Sequence, residues 1–224
     1  MLEREKWIRY FVWLSLIVVL LVGGVAAYSF LVRDQLSLEQ FGKDLPPEKR
    51  ARTIELIEKY KTLIKKEPNN PDHWLQLGLN LEQLGDVYGA IKSDEKAAQL
   101  GPRAFGTFSV LGALYEKTHQ YERAEVAYLT AIKDDPARTF LYAPLVSLYT
   151  NYITGKKNKI PELLTAGMAL PGNQENPALL EMLAVHYKNE HDVPNAISTY
   201  ERLLRATPGN ATAKEELKEL KQNK

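Results

Sequence analysis

The four histidines, His73, His119, His186 and His191, are the first place to look for chemistry near neutral pH. His186 and His191 stand nearest one another, with Glu190 and Asp192 beside them. Two imidazoles five residues apart do not share one face of a helix as they would at a spacing of four, so the cluster reads as the neighbourhood of a helix turn and not as a metal site. Cysteine is absent, which removes thiolate nucleophiles, thiolate zinc sites, disulfides and lipid attachment through a thiol. Neither a glycine-rich phosphate loop nor a glycine-flanked nucleophilic serine occurs. Asn210-Ala211-Thr212 matches a glycosylation acceptor, a tripeptide that carries meaning only in a eukaryotic secretory pathway. The expectation is a non-enzyme with no cofactor, no metal and no small-molecule substrate.

Charge narrows the class of partner. The 224 residues carry 29 Lys and Arg against 28 Asp and Glu. Arg4, Lys6 and Arg9 with Glu3 and Glu5 are the charges ahead of Arg33, so the remainder is formally neutral. Most affinity for nucleic acid comes from releasing counterions from phosphates, and a neutral body lacks the basic field that does this. No nucleic-acid partner is expected. With 45% hydrophobic residues the chain has enough apolar surface for one or two domains or a short array with a continuous core.

The elements that position these residues follow from a repeat. Residues 71–104 and 105–138 carry the same pattern in consecutive blocks of equal length: Trp74, Leu77, Gly78, Leu81, Ala90, Ala97 and Pro102 fall in register with Phe108, Leu111, Gly112, Tyr115, Ala124, Ala131 and Pro136. Small residues at Gly78, Ala90, Gly112 and Ala124 stand where two helices of a hairpin approach closely. Trp74, Leu77, Leu81, Ile91, Leu111, Tyr115, Val126, Tyr128 and Ile132 are expected to fill the space between helices. The pattern resembles the tetratricopeptide repeat family. That resemblance implies an all-α, right-handed solenoid of helical hairpins, turning here at Gly85-Asp86 and His119-Gln120.

The array extends both ways. Residues 47–70 read as a half-unit, since Ile54, Leu56, Ile57, Tyr60, Leu63 and Ile64 recur at helical spacing and Pro68 stands one full period ahead of Pro102. A third unit, 139–176, starts in register with Tyr142, Leu145 and Tyr149 but runs four positions beyond the period. The extra length is expected in the turn 152–160, with Gly155, Lys156, Lys157 and Lys159, and in the stretch 171–176. That turn reads either as a solvated loop or as a partner-binding protrusion. A fourth unit, 177–210, recovers the pattern with Leu180, Leu183, Ala184, Tyr187, Ala196, Tyr200 and Pro208. Residues 211–224 form a cap helix that places Ala213, Leu217 and Leu220 on one side.

Ahead of the array, residues 10–32 contain no charged side chain, a length that spans the roughly 30 Å hydrocarbon core as a helix. Trp7, Tyr10 and Trp13 at one end and Tyr28 and Phe30 at the other suit the headgroup boundaries. The stretch reads as a membrane helix between a tail at 1–9 and a juxtamembrane linker at 33–46. A cleaved signal ending at Ala27 is the alternative. Arg4, Lys6 and Arg9 place the tail in the cytoplasm and the repeats outside it.

In the family, the first helices of successive units line a groove that receives a segment of another protein. Carried over unit by unit, the resemblance implies groove positions at Leu75, Leu79 and Gln83; Ser109, Ala113 and Lys117; Ala143, Ser147 and Asn151; and Glu181, Val185 and Asn189. The family's carboxylate clamp needs Lys and Asn where this sequence has Leu75, Leu79, Ser109 and Ala113, so that activity is not implied. The functional expectation is a membrane-anchored, non-catalytic adaptor that holds a protein partner on the extracytoplasmic side of a single-pass membrane helix, or, with the signal cleaved, an exported soluble chaperone or binding factor.

Overall fold

The computed structural model describes residues 40–101 and 106–222 together with Leu38, and no strand occurs among them. The tail, the span at 10–32 and the first residues of the linker lie outside the described residues. Among the described residues no helix is long and apolar enough to cross a membrane. The helices are α1 (Pro47–Lys66), α2 (Pro71–Leu84), α3 (Val87–Leu100), α4 (Thr107–Lys117), α5 (Tyr121–Asp134), α6 (Tyr142–Asn151), α7 (Ile160–Met168), α8 (Pro177–Asn189), α9 (Val193–Ala206) and α10 (Ala211–Gln222); short 3-10 turns at Thr139–Leu141 and Thr154–Lys159 precede α6 and α7. The described residues fall into two compact parts, one up to residue 68 with Gln76–Ala90, the other Asn69–Leu75 with everything from Ile91.

In the first part, Pro46 is extended with ψ 138°, as a residue before proline prefers, and Pro47 opens α1 where a missing N–H costs nothing. Glu48 in the first turn and Lys65 and Lys66 in the last oppose the helix dipole. Arg50 reaches back, its Nε donating to the Phe41 carbonyl at 3.0 Å and its Nη2 to that of Leu38 at 3.3 Å. Gly42 turns the chain between them with φ +69°, and a Cβ there would stand 2.7 Å from the buried Leu84. Thr53 and Ile57 of α1 are buried, as are Leu77, Leu81 and Leu84 of α2.

The turns inside the hairpins share one device. After α2, the Gly85 amide donates to the Glu82 carbonyl and the Asp86 amide to that of Leu81, a Schellman closure in which Gly85 sits in the left-handed region at φ +97°. His119 and His191 close α4 and α8 identically, with φ of 59° and 58°. These two histidines are therefore turn residues. The equivalent position after α6 is Ile153, whose β-branched side chain disfavours positive φ, and it stays at −107°. Its amide still reaches the Leu148 carbonyl at 2.9 Å, but the chain leaves on the 3-10 path of Thr154–Lys159 and α7 starts late.

That turn adds no length. α5 ends at Asp134 and α7 at Met168, one repeat period apart, so the register holds to that point and all of the extra length lies between Met168 and Pro177. The expectation of extra residues in 152–160 is corrected accordingly. The longer loop is pinned by the buried Asn173, whose Nδ2 donates to the Ala137 carbonyl at 3.2 Å, and Asn176 caps α8 by accepting from the Ala178 amide at 3.0 Å. Asp192 and Asn210 cap α9 and α10 in the same manner.

The core of the second part is built where large meets small. A Cβ on Gly112 of α4 would stand 2.4 Å from the Tyr128 ring of α5; one on Gly167 of α7 would stand 2.8 Å from that of Tyr142 in α6. The large residue has moved from the second helix of one repeat to the first helix of the next. Leu114, Leu145, Leu148, Leu164, Leu179, Leu180 and Leu203 are fully buried. Val126, expected inside, is 65% exposed, whereas its neighbour Glu125 is buried. The Glu125 carboxylate takes that interior place because Tyr149 donates to it at 2.7 Å and Lys156 pairs with it at 2.5 Å. On α10, Ala213 is buried and Leu217 and Leu220 are half-buried, and Lys188 and Glu201 tie the helix down through Glu216 and Lys221.

Candidate functional site

Within the second part, α6 and its preceding 3-10 turn face α8 across an open groove of about 360 Å³. One wall is Thr139, Phe140, Ala143, Val146 and Thr150. The other is the face of α8 from Ala178 through Met182 and Val185 to Glu190. Tyr142, Leu145 and Tyr149 turn the opposite side of α6 into the core, as Leu179, Leu180 and Leu183 do for α8. What remains for the groove is the weaker apolar side of each helix. Ala143 is small and leaves room, while Phe140 and Val185 at the rim are 59% and 42% exposed. Bulky side chains so exposed on facing elements mark a surface that gains from being covered.

Polar groups are few and unevenly placed. Among the described residues, Glu181 and Glu190 supply the only formal charges of the lining. Glu190 meets Lys157 of the 3-10 turn at 3.6 Å; Glu181 has no ion-pair partner among the described residues. Burial pulls the His186 imidazole below the usual histidine range, and Lys157 acts in the same direction against the opposing pull of Glu190. Both effects favour the neutral imidazole. Among the described residues no group of three or more His, Asp or Glu side chains is placed to hold a metal.

Of the expected groove positions, Ala143, Glu181, Val185 and Asn189 come together here. Ser147 and Asn151 are bonded to one another on α6 at 3.1 Å, and Asn151 is exposed. On α4, Ala113 and Lys117 are exposed and Ser109 is half-buried, as is Leu75 on α2. In the first part Leu79 is 58% exposed, and the amide oxygen of Gln83 lies 3.1 Å from the Thr53 hydroxyl of α1, so the leading helix engages that position. The resemblance did not name Phe140, Val146, Thr150, Met182, His186 and Glu190. On α6 the lining runs through Ala143, Val146 and Thr150, in steps of three and four, so Ser147 and Asn151, one residue on, fall beside it. Neighbours at three and four were the available signal.

No family profile and no curated protein sequence matches the chain. Solved structures do. MamA from Desulfovibrio magneticus RS-1 superposes with a TM-score of 0.55 at 22% identity, covering 72% of this chain and 89% of that one. YrrB, described as a TPR protein with an unusual peptide-binding site, gives 0.53 at 17% over 73% of this chain and 82% of its own. The C-terminal part of a TPR repeat-containing protein from Cytophaga hutchinsonii gives 0.56 at 20%, over 72% and 65%. The fold is that of tetratricopeptide repeat proteins. At these identities the likeness extends to the fold alone, so what the helical repeats of this chain bind rests on its own residues.

Proposed function

We propose that this chain is a non-catalytic scaffold that binds a segment of a partner protein in the groove between α6 and α8. The observation that carries the reading is the pair Phe140 and Val185, bulky apolar side chains exposed on opposite walls of one open trough. In the second part, Ser109, Ala113, Lys117 and Leu75 belong to the same proposal as further partner contacts; Leu79 and Gln83 are those offered by the first part. Support from outside comes from YrrB, a protein of the same fold described as having a peptide-binding site. The test is a photocrosslinking amino acid placed at Val185 in the full chain in its native cells, with Glu215, exposed on α10, as the control. One dominant adduct at Val185 and none at Glu215 is the expected result; equal labelling at both would sink the reading.

The scaffold is anchored, in this proposal, by residues 10–32 as a single membrane helix with the repeats on the extracytoplasmic side. The uncharged run and the bases of the tail support it. Protease added to sealed cells should digest the repeats, and mass spectrometry of the mature amino terminus should find residues 10–32 retained. A terminus at Tyr28 would instead make the chain an exported soluble binding factor.

A further inference from the structure

We propose that the outer side of α10, together with Leu204 of α9, is a second interaction surface and receives an acidic amphipathic helix of a partner protein. This surface shares no residue with the groove between α6 and α8 and does not depend on that reading.

α8 starts at Pro177 and α10 at Ala211, one repeat period apart, so α10 takes the place of the first helix of a further hairpin. Lys214, Leu217, Lys218 and Lys221 stand where α8 has Leu180, Leu183, Ala184 and Tyr187. On α8 the first three of these are buried, and α9 packs closely along that helix. Residues 105–138 show what covers this register: Gly112, at the position of Ala184, lies under the Tyr128 ring of the second helix. Among the described residues no second helix follows α10. The uncovered side is an open trough of about 400 Å³ lined by Leu204, Lys214, Leu217, Lys218, Lys221 and Gln222. Leu204 and Leu217 are half-buried in it, whereas Lys214 and Lys218 are exposed.

Charge selects the cover. A cap needs only a polar outer side, which mixed charges would provide, but α10 sorts its charges. With about 3.6 residues per turn, Lys214, Lys218 and Lys221 fall on one side of the helix and Glu215, Glu216 and Glu219 on the other. Lys214 and Lys218 are one turn apart, a like-charge pair that opposes the helix carrying it, and Lys214 stands at the first turn, where the dipole disfavours a cation. From α9, Glu201 and Arg205 add one charge of each sign. Lys221 meets Glu201 at 2.7 Å, and its hydrogen bond and charge, with Arg205 adding to them, hold that carboxyl below the usual range. Lys214 and Lys218 have no ion-pair partner among the described residues, so the surface is left basic. A wholly apolar helix would bury ammonium groups without partners, which is costly; a basic one would add repulsion. Carboxylates three and four residues apart share one face of a helix, the spacing that Lys214, Lys218 and Lys221 themselves have, and apolar residues beside them cover Leu204 and Leu217. A bilayer with anionic headgroups offers the same charge but is flat, and the two leucines are not raised to enter it.

The chain has no cysteine, so Gln222→Cys in the trough and Thr212→Cys, exposed on the far side of α10, each carry a single environment-sensitive dye. The full chain, in phosphatidylcholine nanodiscs, is titrated with an alanine-based helical peptide bearing Glu and Leu on one face, and with its counterpart bearing Lys in place of Glu. The dye in the trough is expected to respond to the Glu peptide alone and the dye on the far side to neither. Salt should weaken the response. Lys214→Glu combined with Lys218→Glu should weaken it about tenfold and confer a response to the Lys peptide. No response to the Glu peptide in the trough, equal responses to the two peptides or of the two dyes, unchanged affinity in the double variant, or its failure to gain the Lys peptide would overturn the proposal. So would phosphatidylglycerol in the discs if, without peptide, it produced the trough response and blocked the Glu peptide; the surface would then belong to the membrane.

Discussion

The ring of Tyr128 lies so close over Gly112 that a single added methyl would stand 2.4 Å from two of its carbons. The Tyr128 hydroxyl is meanwhile fixed by donating to Glu116 at 3.0 Å. A ring held at both edges has little room to retreat. Glycine is required here for space alone.

Gly112→Ala is therefore expected to destabilise the protein by about 1–3 kcal/mol, the usual range for overfilling a packed core. Urea denaturation checks it. In a double-mutant cycle with Tyr128→Ala the two costs should fall short of their sum, because the clash needs both partners. Additive costs would mean that Gly112 matters for some other reason.

His191→Gly is expected to stabilise by about 0.5–1 kcal/mol, since the position sits at φ +58° where a side chain is strained. His119→Gly should gain less, because His119 Nδ1 lies 2.8 Å from the Tyr121 hydroxyl and that contact would go. Thermal unfolding of both variants tests the order. A loss of stability in His191→Gly would refute the account of these turns.

Removal of Lys156 should expose the cost of a buried acid. Burial pushes the Glu125 carboxyl up, but hydrogen bonds from Lys156 and Tyr149 and the Lys156 and Lys159 charges pull it below the usual range overall. Its stabilising contribution is thus present above the ordinary carboxylate range and lost as the pH falls through the depressed value. Lys156→Met should cost about 1–3 kcal/mol at pH 7, with the deficit shrinking under acid as Glu125 takes up a proton. A deficit independent of pH would contradict this.

Alkaline unfolding should be led by tyrosines. Burial raises the hydroxyls of Tyr115, Tyr128, Tyr142 and Tyr149, and pushes Tyr200 up to about 12 with help from Glu216 and Glu181. Raised values favour the neutral phenol in the folded state, so stability is complete below the ordinary value of 10.0 and declines as pH rises from there through about 12. Urea midpoints should fall above pH 10, with tyrosinate absorbance rising in step with unfolding. Simple titration of all tyrosines without unfolding would refute it.

How much of this was legible in the sequence differs from residue to residue. The hairpins around Gly85 and His119 were readable because small and large residues recur at a fixed period, and that period reports local geometry. Glu125 was not. Its place in the interior depends on Tyr149 and Lys156, 24 and 31 residues further on, and without knowing those partners the apolar Val126 beside it was the natural choice. The groove was legible in part: Glu181, Val185 and Asn189 follow from the repeat, but Phe140 stands before the first turn of α6, where the pattern assigns no role. The tie between Thr53 and Gln83 joins α1 to α2 across 30 residues and has no local signature.

One left-handed turn residue recurs after α2, α4 and α8, and Ile153 after α6 breaks the series. The consequence concerns how such an array lengthens or shortens through duplication. Units whose two helices are joined by the same turn share one hairpin geometry, and a duplicated hairpin of that kind keeps its inner turn. The unit holding Ile153 has no such freedom: its second helix begins late, its loop is longer, and its Lys156 and Lys157 grip Glu125 before it and Glu190 after it. A second copy inserted beside it would leave one of these lysines in each copy without its glutamate.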